Sequence, residues 1–180
     1  MNRHCTLRLP AVAVAISLAA GCMTARTGGE DRGRLLFDAV VGTTFRNHVR
    51  PVADPVHGDG IVLLGERVSG DRCQMTFVNR DGFFVVPEGH TGRVTVRVLV
   101  RGEGRIRIAL VSRRKLRSYY FDAPPPGQWT ELELPLTHVE GRIEEGSPVN
   151  DITMWLLSSA KGEPLEKNAA VYFDRAVFHP

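Results

Sequence analysis

The residues best suited to recognition chemistry are basic side chains that recur along the middle of the chain. Guanidinium groups bind carboxylate and sulfate through paired hydrogen bonds, so a cluster of them suits an acidic glycan. The alternative is a solvated outer face whose arginines pair across strands with Glu131 and Glu133. The basic residues concerned are Arg97, Arg101, Arg105 and Arg107, predicted to share one face, followed by Arg113, Arg114, Lys115 and Arg117.

Aromatic side chains supply a second kind of recognition surface, because the C–H faces of sugars pack on ring faces. Tyr119, Tyr120 and Trp155 are the candidates. Trp155 is predicted to lie on the strand face opposite Ile152 and Met154, although core packing is an equal alternative for this ring. We therefore expect Trp155 or Tyr119 to be exposed beside an arginine such as Arg107.

The sequence offers little for catalysis or for nucleic-acid binding. It contains no Gly-x-Ser-x-Gly, His-Glu-x-x-His or Cys-x-x-Cys motif. Without Arg3 and Arg8, which lie in a segment predicted to be removed, the 23 basic residues become 21 against 20 acidic ones. This balance lacks the basic excess of nucleic-acid-binding proteins, so we predict a non-enzymatic protein that does not bind nucleic acid.

The first 21 residues have the pattern of a secretory signal. Basic residues precede an apolar run over residues 9–20, which is too short to span a bilayer, and small residues follow. The ending LAAGC resembles a bacterial lipobox, which implies cleavage before Cys22 and lipidation of its thiol; an ordinary signal peptide is the alternative. Met23 in place of aspartate favours the outer membrane. We predict a flexible tether over residues 22–34.

The remaining chain, residues 35–180, shows period-two alternation of apolar and polar residues separated by turn residues. RVTVRVLV and RIRIALV flank the turn GEG, and as a hairpin Val98 would face Ile108 and Arg101 would face Arg105. WTELELPL places three leucines on one face, and DITMWLLSS alternates in the same way. Eight or nine such strands predict an all-β protein, a single antiparallel β-sandwich of the jelly-roll type. Cys73, alone after Cys5 and Cys22 are accounted for, is predicted to be a small buried side chain.

The second half of the chain contains PPPGQWTELELPL and, some forty residues later, AAVYFDRAVF. These two segments resemble the galactose-binding-like jelly rolls that are common among carbohydrate-binding modules. The resemblance covers about residues 90–178 and implies the jelly-roll fold. It also implies a structural calcium ion near the meeting chain ends, with Asp174 and Asp38 as ligands. The alternative for Asp174 is pairing with an arginine or with backbone N–H groups at a strand bend. The matching residues are Gly127, Trp129, Tyr172, Phe173, Asp174 and Ala176.

Together these patterns predict a lipid-anchored protein of the cell envelope that binds carbohydrate, with an acidic glycan as one option. Its partners would be the membrane, through the lipid anchor, and a glycan. The predicted ligand-binding residues are Trp155, Tyr119, Arg107 and Arg97. The alternative is a structural or assembly lipoprotein whose sandwich docks another envelope protein through an exposed apolar patch.

Overall fold

The computed structural model describes residues 33–39, 45–122, 124–159 and 163–180. The predicted signal and Cys22 lie outside these residues, as does most of the predicted tether. The described part contains two short 3₁₀ helices, Glu88–His90 and Leu136–Val139, and no helix that could serve as a transmembrane span. Its strands are β1 Arg34–Asp38, β2 Phe45–Asn47, β3 Val49–Ala53, β4 Ile61–Ser69, β5 Arg72–Val78, β6 Phe84–Val85, β7 Arg93–Arg101, β8 Arg105–Ser112, β9 Lys115–Asp122, β10 Trp129–Pro135, β11 Pro148–Val149, β12 Asp151–Leu157 and β13 Ala170–His179.

Two antiparallel sheets pack against each other and share one strand. The first sheet has the order β10-β7-β13-β4-β3, with β1 also paired to β13. The second has the order β4-β5-β12-β8-β9, with β2 paired to β5. Strand β4 joins the sheets because its first half pairs with β3 and β13, whereas residues 66–69 pair with β5. The predicted all-β sandwich is confirmed.

The alternation of the sequence produces the core. Val94, Val96, Val98 and Val100 of β7 are fully buried on the inner side of the first sheet. Residues of the second sheet meet them from the other side, because the inward positions of β8 and β12 are apolar in the same period-two pattern. These second-sheet residues are Ile106, Ile108, Leu110, Ile152, Met154 and Leu156. Cys73 is buried as predicted.

The predicted hairpin around GEG is wrong. Strand β7 pairs with β10 and β13, whereas β8 pairs with β9 and β12, so residues 102–104 cross from one sheet to the other. Val98 and Ile108 both point inward in either arrangement, because alternation fixes which residues are buried but not which strand lies alongside. At the crossover Gly102 has a φ of +78°, and a Cβ on Gly104 would lie 2.6 Å from the Leu157 carbonyl oxygen.

Four phenylalanines tie the first strand to the last. Phe37 of β1 packs on Phe77, Phe83 and Phe173, with ring centroids 4.6, 4.8 and 5.1 Å away. Phe173 belongs to β13, which pairs with β1 along residues 34–38. Phe37 therefore connects β1 to the inner faces of both sheets.

Replacing Phe37 with alanine should lower the free energy of unfolding by about 3–5 kcal/mol, because it removes a buried ring from this cluster. Urea unfolding followed by tryptophan fluorescence measures the change. Leu35→Ala on the same strand is the control; its side chain is 47% exposed, so it should cost about 1 kcal/mol or less. Equal losses for the two variants would contradict this account of the core.

Candidate functional site

Four side chains form a continuous row on the outer face of the second sheet. Gln74 of β5 lies opposite Trp155 of β12, Trp155 opposite Arg107 of β8, and Arg107 opposite Tyr120 of β9. All four positions alternate with buried residues on their strands and so point away from the core. These residues are called the aromatic row below.

The guanidinium group of Arg107 lies between the two rings of the aromatic row. Its central carbon is 4.5 Å from the Trp155 ring centroid and 5.8 Å from that of Tyr120. Its Nε donates a hydrogen bond to Ser118 Oγ at 3.0 Å. Cation–π contacts of this kind contribute about 0.5–1 kcal/mol each at exposed sites. Arg107 contacts the half-buried Trp155 ring. The more open ring of the row is Tyr120, which is 57% exposed.

A hydrogen-bond network orients the other end of the row. The indole Nε1 of Trp155 donates to Gln74 Oε1 at 3.1 Å, and the Gln74 amide donates to Thr76 Oγ1 at 3.3 Å. Thr153 donates to Asp151 Oδ1 at 2.7 Å. Partial burial raises the pKa of the Asp151 carboxyl, although the hydrogen bond from Thr153 lowers it. The face thus offers amide, hydroxyl and carboxylate groups beside the aromatic rings.

An open cleft of about 670 Å³ lies beside the row, along the edge strand β9. Its size is within the range of small-ligand sites. Arg107 and Tyr120 belong to both the row and the cleft, so the two features are continuous. The cleft is lined by Arg107, Arg114, Lys115, Leu116, Arg117, Ser118, Tyr120, Gly141 and Arg142.

The expectation of an exposed Tyr119 is wrong. Its side chain is only 5% exposed, and its hydroxyl donates to the Pro135 carbonyl at 2.9 Å. Burial raises the pKa of this phenol. Tyr120, the next residue, points to the opposite side of β9 and takes the place beside Arg107 that was expected of Tyr119.

Arg97 does not share a face with Arg107. It alternates with Val96 and Val98 on β7, so it lies on the outer face of the first sheet, on the far side of the sandwich. There its guanidinium lies 5.3 Å from the Trp129 ring centroid and 3.0 Å from Asp174 Oδ2. The predicted common arginine face is wrong, because the crossover at residues 102–104 places the two halves of the series on different sheets.

The two outer faces differ in how their arginines are neutralised. On the first sheet, Arg97 pairs with Asp174, and Arg175 pairs with Glu131 at 3.2 Å. Arg93 pairs there with Glu133. Glu131 and Glu133 therefore pair with arginines, but not with those of the predicted common face. On the second sheet Arg105 pairs with Asp122 at 3.7 Å, whereas Arg107 contacts rings and a hydroxyl. Within the described residues Arg107 therefore has no ion pair with an acidic side chain.

Asp174 and Asp38 do not form a calcium ligand set here. Asp174 lies where the register of β13 shifts between Phe173 and Arg175, and its carboxylate is bonded to Arg97. Asp38 lies opposite Arg175. Calcium takes six to eight oxygen ligands, yet the described residues contain no group of three or more candidate metal-ligating side chains. Calcium binding stays an untested prediction that these residues do not fit.

The position of Tyr120 opposite Arg107 could be predicted from the sequence, unlike the positions of other site residues. Ser112 and Lys115 pair across the two-residue turn Arg113–Arg114, and counting back from that turn places Arg107 opposite Tyr120. Arg142 had no such signal, because it reaches the cleft from a loop 25 residues further along the chain than Arg117. Gln74 likewise becomes a neighbour of Trp155 only through the pairing of β5 with β12.

No family model and no curated protein matches the sequence. Among solved structures, the chain is similar to an exo-β-agarase, with a TM-score of 0.54, 12% identity and coverage of 82% of this chain. The match spans only 25% of the agarase chain. The agarase likeness shows the fold.

Two smaller solved structures are also similar. One is the family 11 carbohydrate-binding module of a cellulosomal cellulase of Clostridium thermocellum, with a TM-score of 0.49 and 11% identity over 82% of this chain and 95% of the module. The other is CsCBM6-3 from Clostridium stercorarium in complex with cellobiose, with a TM-score of 0.44 and 17% identity over 82% and 96% of the two chains.

Asp174→Asn should lower the free energy of unfolding by about 1 kcal/mol or less, because a half-buried ion pair with Arg97 is lost. Asp122→Asn is the matched control, since that carboxylate is 97% exposed and lies 3.7 Å from Arg105. EDTA or added CaCl₂ should leave the melting temperature of the wild type unchanged. A rise in melting temperature with CaCl₂ that Asp174→Asn abolishes would contradict the ion-pair interpretation.

Proposed function

We propose that this protein binds carbohydrate through the aromatic row, as a non-catalytic module, with acidic glycans among its ligands. The observation that carries the proposal is the exposed Tyr120 ring beside Arg107 and Trp155 on one open sheet face. A sugar ring can pack its apolar face on Tyr120 while its hydroxyl groups hydrogen-bond to neighbouring polar side chains.

The row suits binding better than hydrolysis. Its four side chains are an amide, two aromatic rings and a guanidinium, whereas most glycoside hydrolases use a pair of carboxylates flanking the scissile bond. The sandwich fold permits the role, since an exo-β-agarase contains a similar domain, but a fold alone does not determine function. The proposal therefore depends on the row.

We also propose that the protein is anchored at the outer membrane of the cell envelope by a lipid on Cys22. The LAAGC sequence supports this, together with the apolar run that precedes it. An anchor and a polar tether would hold the sandwich near the membrane surface, where envelope or external glycans are accessible. Stable anchoring requires more than a single acyl chain, and a diacylglycerol on Cys22 supplies two.

Tyr120→Ala should lower retention on a binding polysaccharide by about tenfold or more, and Trp155→Ala should do the same by removing the ring that holds Arg107. Affinity electrophoresis in gels containing neutral and acidic polysaccharides measures this. Trp129→Ala is the control, because it removes an equal ring from the outer face of the other sheet. Circular dichroism checks that each variant remains folded.

Retention that survives both Tyr120→Ala and Trp155→Ala but falls in Trp129→Ala would move the binding surface to the first sheet. An absence of retention of the wild type on every neutral and acidic polysaccharide tested would reject carbohydrate binding altogether.

Cys22→Ser should move the full-length protein from the membrane fraction to the soluble periplasmic fraction, because the serine hydroxyl cannot carry the thioether-linked lipid. Fractionation and metabolic labelling with a palmitate analogue measure the change, with Cys73→Ser as the control. Unchanged membrane association of Cys22→Ser, or labelling that persists, would reject the lipobox interpretation.

A further inference from the structure

The cleft beside the aromatic row is lined by positively charged side chains. Among the described residues, five basic side chains line it and no acidic side chain does. They come from three separate places, which are strand β8, the β8–β9 turn with strand β9, and the loop that follows the second 3₁₀ helix. The five are Arg107, Arg114, Lys115, Arg117 and Arg142.

Few of these charges are compensated within the described residues. Lys115 pairs with Glu144, and Arg107 is held by rings and Ser118. For Arg114, Arg117 and Arg142, the described part of the chain provides no ion pair with an acidic side chain. Like charges gathered in one cleft repel each other, so an anion that enters it is favoured.

Arg117 gives an independent indication. It follows Leu116 on the edge strand, lies on the same side of β9 as the buried Tyr119, and lines the cleft together with Arg142. Its Nε is shielded from solvent and has no hydrogen-bond acceptor among the described residues. A shielded donor without an acceptor is unfavourable and uncommon in folded proteins. The Arg117 side chain as a whole is only partly buried and lines the cleft, where a ligand oxygen can approach its guanidinium group.

We infer that this cleft is an anion subsite for an acidic glycan. Arg107, Arg117 and Arg142 bind a carboxylate or sulfate substituent, since guanidinium groups match both anions with paired hydrogen bonds. The sugar that carries the substituent packs on Tyr120, which lines the same cleft. This inference rests on the proposed carbohydrate binding and names the class of glycan that the site selects.

The test compares the wild type with Arg117→Gln and Arg142→Gln on three immobilised polysaccharides: neutral agarose, polygalacturonate as the carboxylate probe, and carrageenan as the sulfate probe. Arg80→Gln is the charge-matched control, because Arg80 is exposed in the turn after β5, away from the cleft. A single-stranded oligonucleotide serves as a polyanion without sugar-borne carboxylate or sulfate. Inorganic sulfate, titrated against the melting temperature, probes the subsite without any glycan.

We expect at least one acidic polysaccharide to bind about tenfold or more tightly than agarose, and Arg117→Gln and Arg142→Gln each to remove most of that difference. Binding should weaken with added NaCl, and Arg80→Gln should behave as the wild type. The stronger of the two acidic probes identifies carboxylate or sulfate. Sulfate should raise the melting temperature of the wild type more than that of Arg117→Gln.

Equal binding of agarose and both acidic polysaccharides, unaffected by the arginine variants, would overturn the anion subsite while leaving carbohydrate binding intact. Stabilisation by sulfate with no retention of any polysaccharide would overturn the proposed function and, with it, the assignment to a glycan. Oligonucleotide binding as tight as that of the acidic polysaccharides would identify the cleft as a general polyanion surface and overturn the inference.

Discussion

The main apolar core shared by the two sheets is the constraint on which the rest of this structure depends. Strands β5, β7, β8 and β12 place every second residue in that core, and the fully buried valines of β7 face isoleucine and leucine residues of β8 across it. The polar and charged residues are thereby restricted to the two outer faces, the strand edges and the loops. Any recognition chemistry of the described domain must be found there.

The arginines on the two outer faces are stabilised by different partners. On the first sheet Arg93, Arg97 and Arg175 have acidic partners, whereas Arg101 lies over the Tyr172 ring. On the second sheet Arg107 is stabilised by Trp155 and Ser118. Paired guanidinium groups have little to gain from a ligand, whereas those near the aromatic row can still accept an anion. The face proposed for recognition is thus the one on which Arg107 has no ion pair among the described residues.

Much of the fold was predictable because period-two alternation depends only on the residues of one strand. Alternation correctly predicts the inward-facing residues of β7, β8, β10 and β12. Alternation does not show which strands pair with each other, since a hairpin and a crossover at GEG bury the same residues. Because the chain crosses between the sheets at GEG, Arg97 and Arg107 lie on different sheets, and the predicted common arginine face is wrong.

The sequence by itself determined the fold class, the inward face of most strands and the residue types available for recognition, because these follow from composition and local periodicity. Tertiary structure decided which of those residues meet. It put Tyr119 in the core and Tyr120 beside Arg107, and it brought Arg142 to Arg117 from a distant loop. The physical reason is that strand order and loop placement depend on packing between segments far apart in the chain, which local alternation does not encode.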